Sequence, residues 1–158
     1  MIPEVFGPAA FAFLPGGSET AGLCLKALLE THTGLMVDLR NAFNSTRRDL
    51  MLEALYAEPL LDALWRITDW AYSQQTDLLL RGATGITELL SSESGTRQGD
   101  PLAMLLFCLS TKAPMRATIA EVGPVVTVSV ADDITFLGPL DGELATKAGL
   151  KFKQDAML

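Results

Sequence analysis

The run from Val125 to Leu137 constrains this chain more than any other. Val125 to Ala131 and Ile134 to Leu137 are β-rich segments joined by Asp132-Asp133. Two short segments of that kind with a short polar link predict an antiparallel hairpin. Two adjacent carboxylates are thereby committed to its tip. A third acid, Asp38, ends another apolar run, Leu35-Met36-Val37-Asp38-Leu39, which reads as a buried strand. If the strands are neighbours, Asp38, Asp132 and Asp133 converge at one end of a sheet. Clustered carboxylates repel one another and call for a cation. Mg²⁺ suits them, because it prefers oxygen ligands and binds through few carboxylates plus substrate phosphates. Two such ions, about 3.5–4 Å apart, stabilise the attacking and leaving oxygens of an in-line phosphoryl displacement. Taken singly, each feature is ordinary: an Asp-Asp pair is common turn chemistry, and an Asp at a strand end is usually solvated.

The remaining elements follow from caps and periodicity. Ser18 is a good N-cap, so a helix is expected from about Glu19 to Thr31 with Leu23, Ala27 and Leu28 on its buried side. Ser45 is expected to cap a second helix, Thr46 to Tyr56, and Pro59 to open a third, running to Tyr72 with Leu60, Leu64 and Ile67 at helical spacing. Asp77–Arg81 and Ile86–Ser91 predict another hairpin around Gly82 and Gly85, and 92–100 a polar loop. Pro101 starts a fourth helix through Leu109, continuing toward Ile119 with a kink near Pro114. Residues 1–17 read as irregular and 18–158 as one domain. The class is α+β.

Composition narrows the setting. Of 158 residues, 49% are hydrophobic and 20% charged, a globular balance. No apolar run approaches the ~20 residues of a membrane helix, and no basic segment precedes an apolar stretch at the N-terminus. Cys24 and Cys108 fall in apolar helical patterns and read as buried free thiols of a reducing compartment. An intracellular location, nucleus or cytoplasm, is expected, without secretion and without a membrane partner. A net charge of -7 opposes nucleic-acid binding, which normally needs a surplus of Lys and Arg.

Three motifs in order carry a resemblance. Val37-Asp38-Leu39-Arg40-Asn41-Ala42-Phe43-Asn44 resembles the first palm motif of reverse transcriptases. Ser94-Gly95-Thr96-Arg97-Gln98-Gly99-Asp100-Pro101-Leu102 resembles their Gln-Gly-Asp-Pro-Leu loop, and Val130-Ala131-Asp132-Asp133 their Ala-Asp-Asp hairpin. Pro15-Gly16-Gly17-Ser18-Glu19-Thr20-Ala21, Trp70-Ala71-Tyr72 and Leu78-Leu79-Leu80-Arg81-Gly82 are similar to segments of the non-LTR retrotransposon branch. The likeness covers about residues 13–138.

The resemblance implies an RNA-directed DNA polymerase palm, an antiparallel sheet backed by helices, with incomplete fingers and no thumb. It implies that Asp38, Asp132 and Asp133 hold two Mg²⁺ ions (Mn²⁺ being the alternative), Asp133 being the lesser ligand. Phe43 would gate against a ribose 2′-OH, and Gln98 and Gly99 would face the nucleotide; Arg97, beside them, would face phosphate, with a solvated side chain as the alternative. The partners would be an RNA template, a DNA primer and a dNTP. Arg40, Arg47 and Arg48 read as a solvated helix face, with nucleic-acid contact as the alternative. His32 has no catalytic role in this reading. The sequence departs from the pattern at Val130, where an aromatic is usual, and after Asp133. There Gly149-Leu150-Lys151-Phe152 resembles the start of the next strand after only fifteen residues, and Ala156 stands at the family's Lys position. A fragment with little activity alone is therefore expected. Two other readings stay open, a catalytically dead remnant or interaction module, and an RNA-dependent RNA polymerase fragment.

Overall fold

A computed structural model describes residues 5, 6, 11–83 and 85–156, apart from the side chains of Ile86 and Thr87. The irregular reading of residues 1–17 lies partly outside the described residues; within them, Phe11–Phe13 forms a 3-10 turn. The helices are α1 (Gly17–Leu28), α2 (Ala42–Ser45), α3 (Arg48–Tyr56), α4 (Asp62–Tyr72), α5 (Ala103–Val122) and α6 (Glu143–Asp155). The strands are β1 (Thr33–Val37), β2 (Thr76–Gly82), β3 (Gly85–Ser92), β4 (Val126–Val130) and β5 (Asp133–Gly138). The class is α+β, with antiparallel sheets backed by helices, as expected.

β1, β5 and β4 form a three-stranded antiparallel sheet in that order. Val37 pairs with Ile134, and Val130 with Asp133. Successive strand residues point to opposite faces, so the sheet packs on both sides. Ile134 and Phe136 join Phe107 of α5 and Ala148 and Phe152 of α6 in one core. The Phe136 and Phe152 rings, both fully buried, lie 5.6 Å apart between centroids. Burial of each contributes about 2–3 kcal/mol. Leu137 and Val128 face the other way, against Ala21 of α1. A second core unites α3, α4 and α5 through Met51, Leu55, Tyr72 and Leu106. β2 and β3 form a separate two-stranded sheet.

Several local expectations are corrected. Gly16, not Ser18, precedes α1, and Ser45 ends α2 while Arg47 precedes α3. α1 buries Gly17 and Ala21, whereas Leu23 and Ala27 are exposed. The inward stripe of the third predicted helix is Leu61, Leu64, Trp65, Thr68 and Tyr72, leaving Leu60 and Ile67 exposed. In both helices the stripe is set by the sheet or helix opposite, which a lone amphipathic pattern does not reveal. α5 runs unbroken through Pro114, and Pro101 lies in the turn before it. Cys24 and Cys108 are free thiols, as expected, but only half-buried.

The largest correction concerns the C-terminal segment. Gly149-Leu150-Lys151-Phe152 lies inside α6 and is no strand. Ala145, Ala148, Gly149 and Phe152 are all buried, a helical spacing of three and four. Gly149 lets α6 approach β1: a Cβ there would meet Leu35 Cδ2 at 2.4 Å and Val37 Cγ2 at 3.1 Å. Lys151, which carries no catalytic assignment, pairs with Asp155 at 2.9 Å and Glu121 at 3.1 Å.

Candidate active site

The end of β1 and the β4–β5 turn meet because β1 and β5 are paired up to Val37 and Ile134. Asp38 follows Val37 directly. The hairpin's two-residue turn is Ala131-Asp132, since Val130 pairs with Asp133. This shifts the sequence expectation by one residue, and Asp133 becomes the first residue of β5. Ala131 takes a left-handed φ of 57°. That conformation costs a non-glycine residue roughly 1–2 kcal/mol, so the turn beside Asp132 is strained.

A cleft of about 610 Å³ lies between the two motif segments and the intervening loop. Asp38, Phe43, Arg97, Gln98, Gly99 and Asp132 all line it. Six of the seven residues predicted for the site are therefore brought together from three separated stretches of chain. The seventh is not. Asp133 shares the phase of Thr135 and lines a different hollow against α1, with Ser18, Ala21 and Met36. Strand alternation explains this: adjacent acids at the start of a strand point to opposite faces.

The loop carrying Gln98 and Gly99 is held by main-chain and side-chain bonds to the first motif. Gly95 N donates to Thr46 O and Thr96 N to Phe43 O, each at 2.7 Å. Ser94 Oγ donates to Asn44 O at 3.1 Å. Gly95 has φ 69°, and a Cβ there would sit 2.3 Å from Asn44 O, so only glycine fits. Arg48 is 7% exposed and locks the same loop. Its Nε donates to Gly95 O at 3.0 Å, Nη1 to Ser92 O at 2.7 Å and Nη2 to Ser92 Oγ at 2.8 Å. Burial, then the like charge of Arg97, lowers its pKa below the usual guanidinium value. The solvated-face reading holds for Arg47, which pairs with Asp49, and fails for Arg48.

Tyr72, met in the sequence only as the end of Trp70-Ala71-Tyr72, is the other residue whose role the motifs do not announce. Its buried hydroxyl donates to the Asp100 carboxylate and accepts from Arg97 N at 3.1 Å. Burial, then the Asp100 bond, pushes the phenol above its usual pKa. The guanidiniums of Arg48 and Arg97 lie 5.4 and 5.3 Å from its ring centroid. Arg97 lines the cleft, yet its Nη2 is committed to Ala71 O at 2.7 Å and Thr76 Oγ1 at 3.1 Å. Arg40 also lines the cleft, is exposed, and has no ion pair among the described residues. A signal for Arg48 was present: Met51, Leu52 and Leu55 follow it at three, four and seven residues and are all buried.

Phe43 packs against Phe107 of α5, with centroids 4.7 Å apart and ring planes tilted by 34°, while still lining the cleft. Gly99 has φ 87° with open space where a Cβ would be, so glycine is needed for the backbone shape. Burial, then the field of Asp132, pushes the Cys108 thiol up to about 12, which keeps it neutral and inert. Asp38 and Asp132 are the acids that face the cleft, an all-oxygen pair suited to Mg²⁺ completed by phosphate oxygens. Among the described residues no three His, Cys, Asp or Glu are grouped so as to hold a metal.

No family model matches the chain. It is 31% identical over 113 residues to the "Retrotransposable element SLACS 132 kDa protein" of Trypanosoma brucei gambiense. The chain is thus distantly related to a retroelement protein. The match takes in 66% of this chain and spans 9% of that protein's length. Among the described residues no helix is long and apolar enough to cross a membrane.

Proposed function

We propose that this chain is palm-domain material of a retroelement reverse transcriptase, which extends a DNA primer on an RNA template with dNTPs. The observation that carries the reading is the shared cleft: Asp38 and Phe43, Arg97 to Gly99, and Asp132 line one cavity although they are widely spaced in sequence. The retroelement relationship supports it.

In this reading Asp38 and Asp132 are the residues that hold Mg²⁺, or Mn²⁺ in its place. The ion, when bound, neutralises the charge developing on the transferred phosphoryl group. Phe43, held by its contact with Phe107, leaves a 2′-OH neither room nor a partner. Gln98 offers both donor and acceptor to the nucleotide, and the open backbone at Gly99 lets it approach. Arg40 is the cleft cation available to phosphate. Positioning is most of phosphoryl-transfer catalysis, and the anchoring of the 94–99 loop by Arg48 supplies it.

One observation favours a second reading, a scaffold without turnover: Asp133 lies on the far face of the sheet. The net charge of -7 points the same way for the chain on its own, and processive extension is not expected from it alone. Nucleotide binding is the discriminating experiment. Titration calorimetry with a dNTP should show Mg²⁺-dependent binding that weakens roughly tenfold or more in Asp38→Asn and Asp132→Asn. Absence of binding, or binding indifferent to both substitutions, removes the polymerase reading; rNTP bound as well as dNTP favours an RNA-dependent RNA polymerase.

A further inference from the structure

Among the described residues, none of the hairpin β2–β3 belongs to the three buried cores. Leu78, Leu79, Leu80, Leu89 and Leu90 are between 44% and 61% exposed. Among the described residues its sheet has two strands, so each strand has one edge without a neighbouring strand there. A two-stranded hairpin is marginal by itself, and leucines on both faces are not covered by a single amphipathic helix. The register pairs Leu78 with Leu90 and Leu79 with Leu89, so one face carries Leu78, Leu80 and Leu90 and the other Leu79 and Leu89.

We infer that this hairpin is a self-association surface, with β2 of one copy pairing antiparallel to β2 of a second copy about Leu79. Charges along Thr76-Asp77-Leu78-Leu79-Leu80-Arg81-Gly82 complement one another in this pairing. A two-fold axis at Leu79 sets Asp77 opposite the second copy's Arg81, and does so twice. Both residues are exposed, and neither makes an ion pair among the described residues. The same axis sets Leu78 opposite Leu80 and Leu79 opposite itself, which joins the leucines of each face across the two copies. The register slip between Leu80 and Arg81 falls on β3, so β2 keeps its alternation. The β3 edge lacks this symmetry. Its only charge is Glu88, with no cation in the strand to answer it. An isologous edge pairing of this kind closes as a dimer, a continuous four-stranded sheet, and leaves the β2 edge inaccessible to further strands.

Sedimentation of the 158-residue chain over a range of concentrations tests this. The wild type should show a monomer–dimer equilibrium. Asp77→Arg and Arg81→Asp should each raise the dimer dissociation constant roughly tenfold or more, and the double reversal should restore it. A second measurement does not rely on affinity. Oxidised Leu79→Cys should cross-link copies. Leu89→Cys should not, because its two sulfurs would be three strand spacings apart, roughly 14 Å. A wild type that stays monomeric, association that ignores the reversals, or equal cross-linking from Leu89→Cys would each overturn the inference. No outcome involves nucleotide or metal, so the test is independent of the proposed function.

Discussion

The Nε of Arg48 donates to the carbonyl oxygen of Gly95 at 3.0 Å, across forty-seven residues of chain. This one bond ties the helix that follows the first motif to the loop that carries the second. Around it, Arg48 also satisfies the carbonyl and hydroxyl of Ser92. A buried guanidinium with three loop acceptors is a fixed spacer between the two walls of the cleft.

Substitution of Arg48 should therefore unlock the loop. Arg48→Ala leaves buried carbonyls without donors and should cost roughly 2–4 kcal/mol in urea unfolding. Arg48→Lys should recover little of it, because one ammonium cannot reproduce a fork reaching Gly95 and Ser92 together. A lysine variant as stable as the wild type would show that charge, not geometry, is what the loop needs.

The turn at the acid pair stores strain that can be released. Ala131 has φ 57°. Ala131→Gly should raise the thermal midpoint, by about 0.5–1 kcal/mol of added stability, since glycine accepts this conformation without penalty. A lowered midpoint would show that the alanine methyl contributes more by contact than the turn costs.

Sheet, hairpins and element order were legible because their signals are local: β-rich runs, turn residues and the spacing of apolar positions. The acid cluster was legible only in part. Strand ends and motif order bring Asp38 and Asp132 together in the reading, and both line the cleft, but the hairpin turn is Ala131-Asp132, and Asp133, already in β5, lines a different hollow. Register at that level is set by the pairing of β4 with β5 along their length, which the turn residues alone do not encode. Gly149 misled for a related reason. A Gly-Leu pair after a turn resembles a strand start, yet the buried spacing of Ala145, Ala148 and Phe152 is helical. The roles of Tyr72 and Arg48 were not legible because their partners are contributed by distant segments.

The Cys108 thiol should be unreactive in the folded chain. The Cys108 pKa is pushed up to about 12, by burial first and by Asp132 second, from the 9.0 of an ordinary thiol. At pH 8 a thiol reagent should label Cys108 only on unfolding. Because the folded value is the higher one, protonated Cys108 favours the folded state fully below pH 9.0, and that stability is lost as pH rises toward about 12. Comparison of unfolding curves for wild type and Cys108→Ala across that window isolates the effect. Rapid native labelling of Cys108 at pH 8 would contradict the burial argument.

Phe43 sets the expected sugar preference. In the calorimetric comparison, Phe43→Ala should narrow the gap between dNTP and rNTP, mainly by improving rNTP binding. The ring is anchored by Phe107, so its removal also opens a cavity and should cost roughly 3 kcal/mol in stability. Unchanged discrimination in a folded variant would remove the gate from the account.

The central claim is that Asp38 and Asp132 form the cation-holding pair of the cleft and that Asp133 does not belong to it. Titration with Mn²⁺ in the presence of dNTP, followed by electron paramagnetic resonance, tests it most directly. The account predicts saturable binding that Asp38→Asn and Asp132→Asn each weaken roughly tenfold or more, while Asp133→Asn changes it less than about twofold. Binding abolished by Asp133→Asn, or untouched by Asp38→Asn and Asp132→Asn, would contradict it.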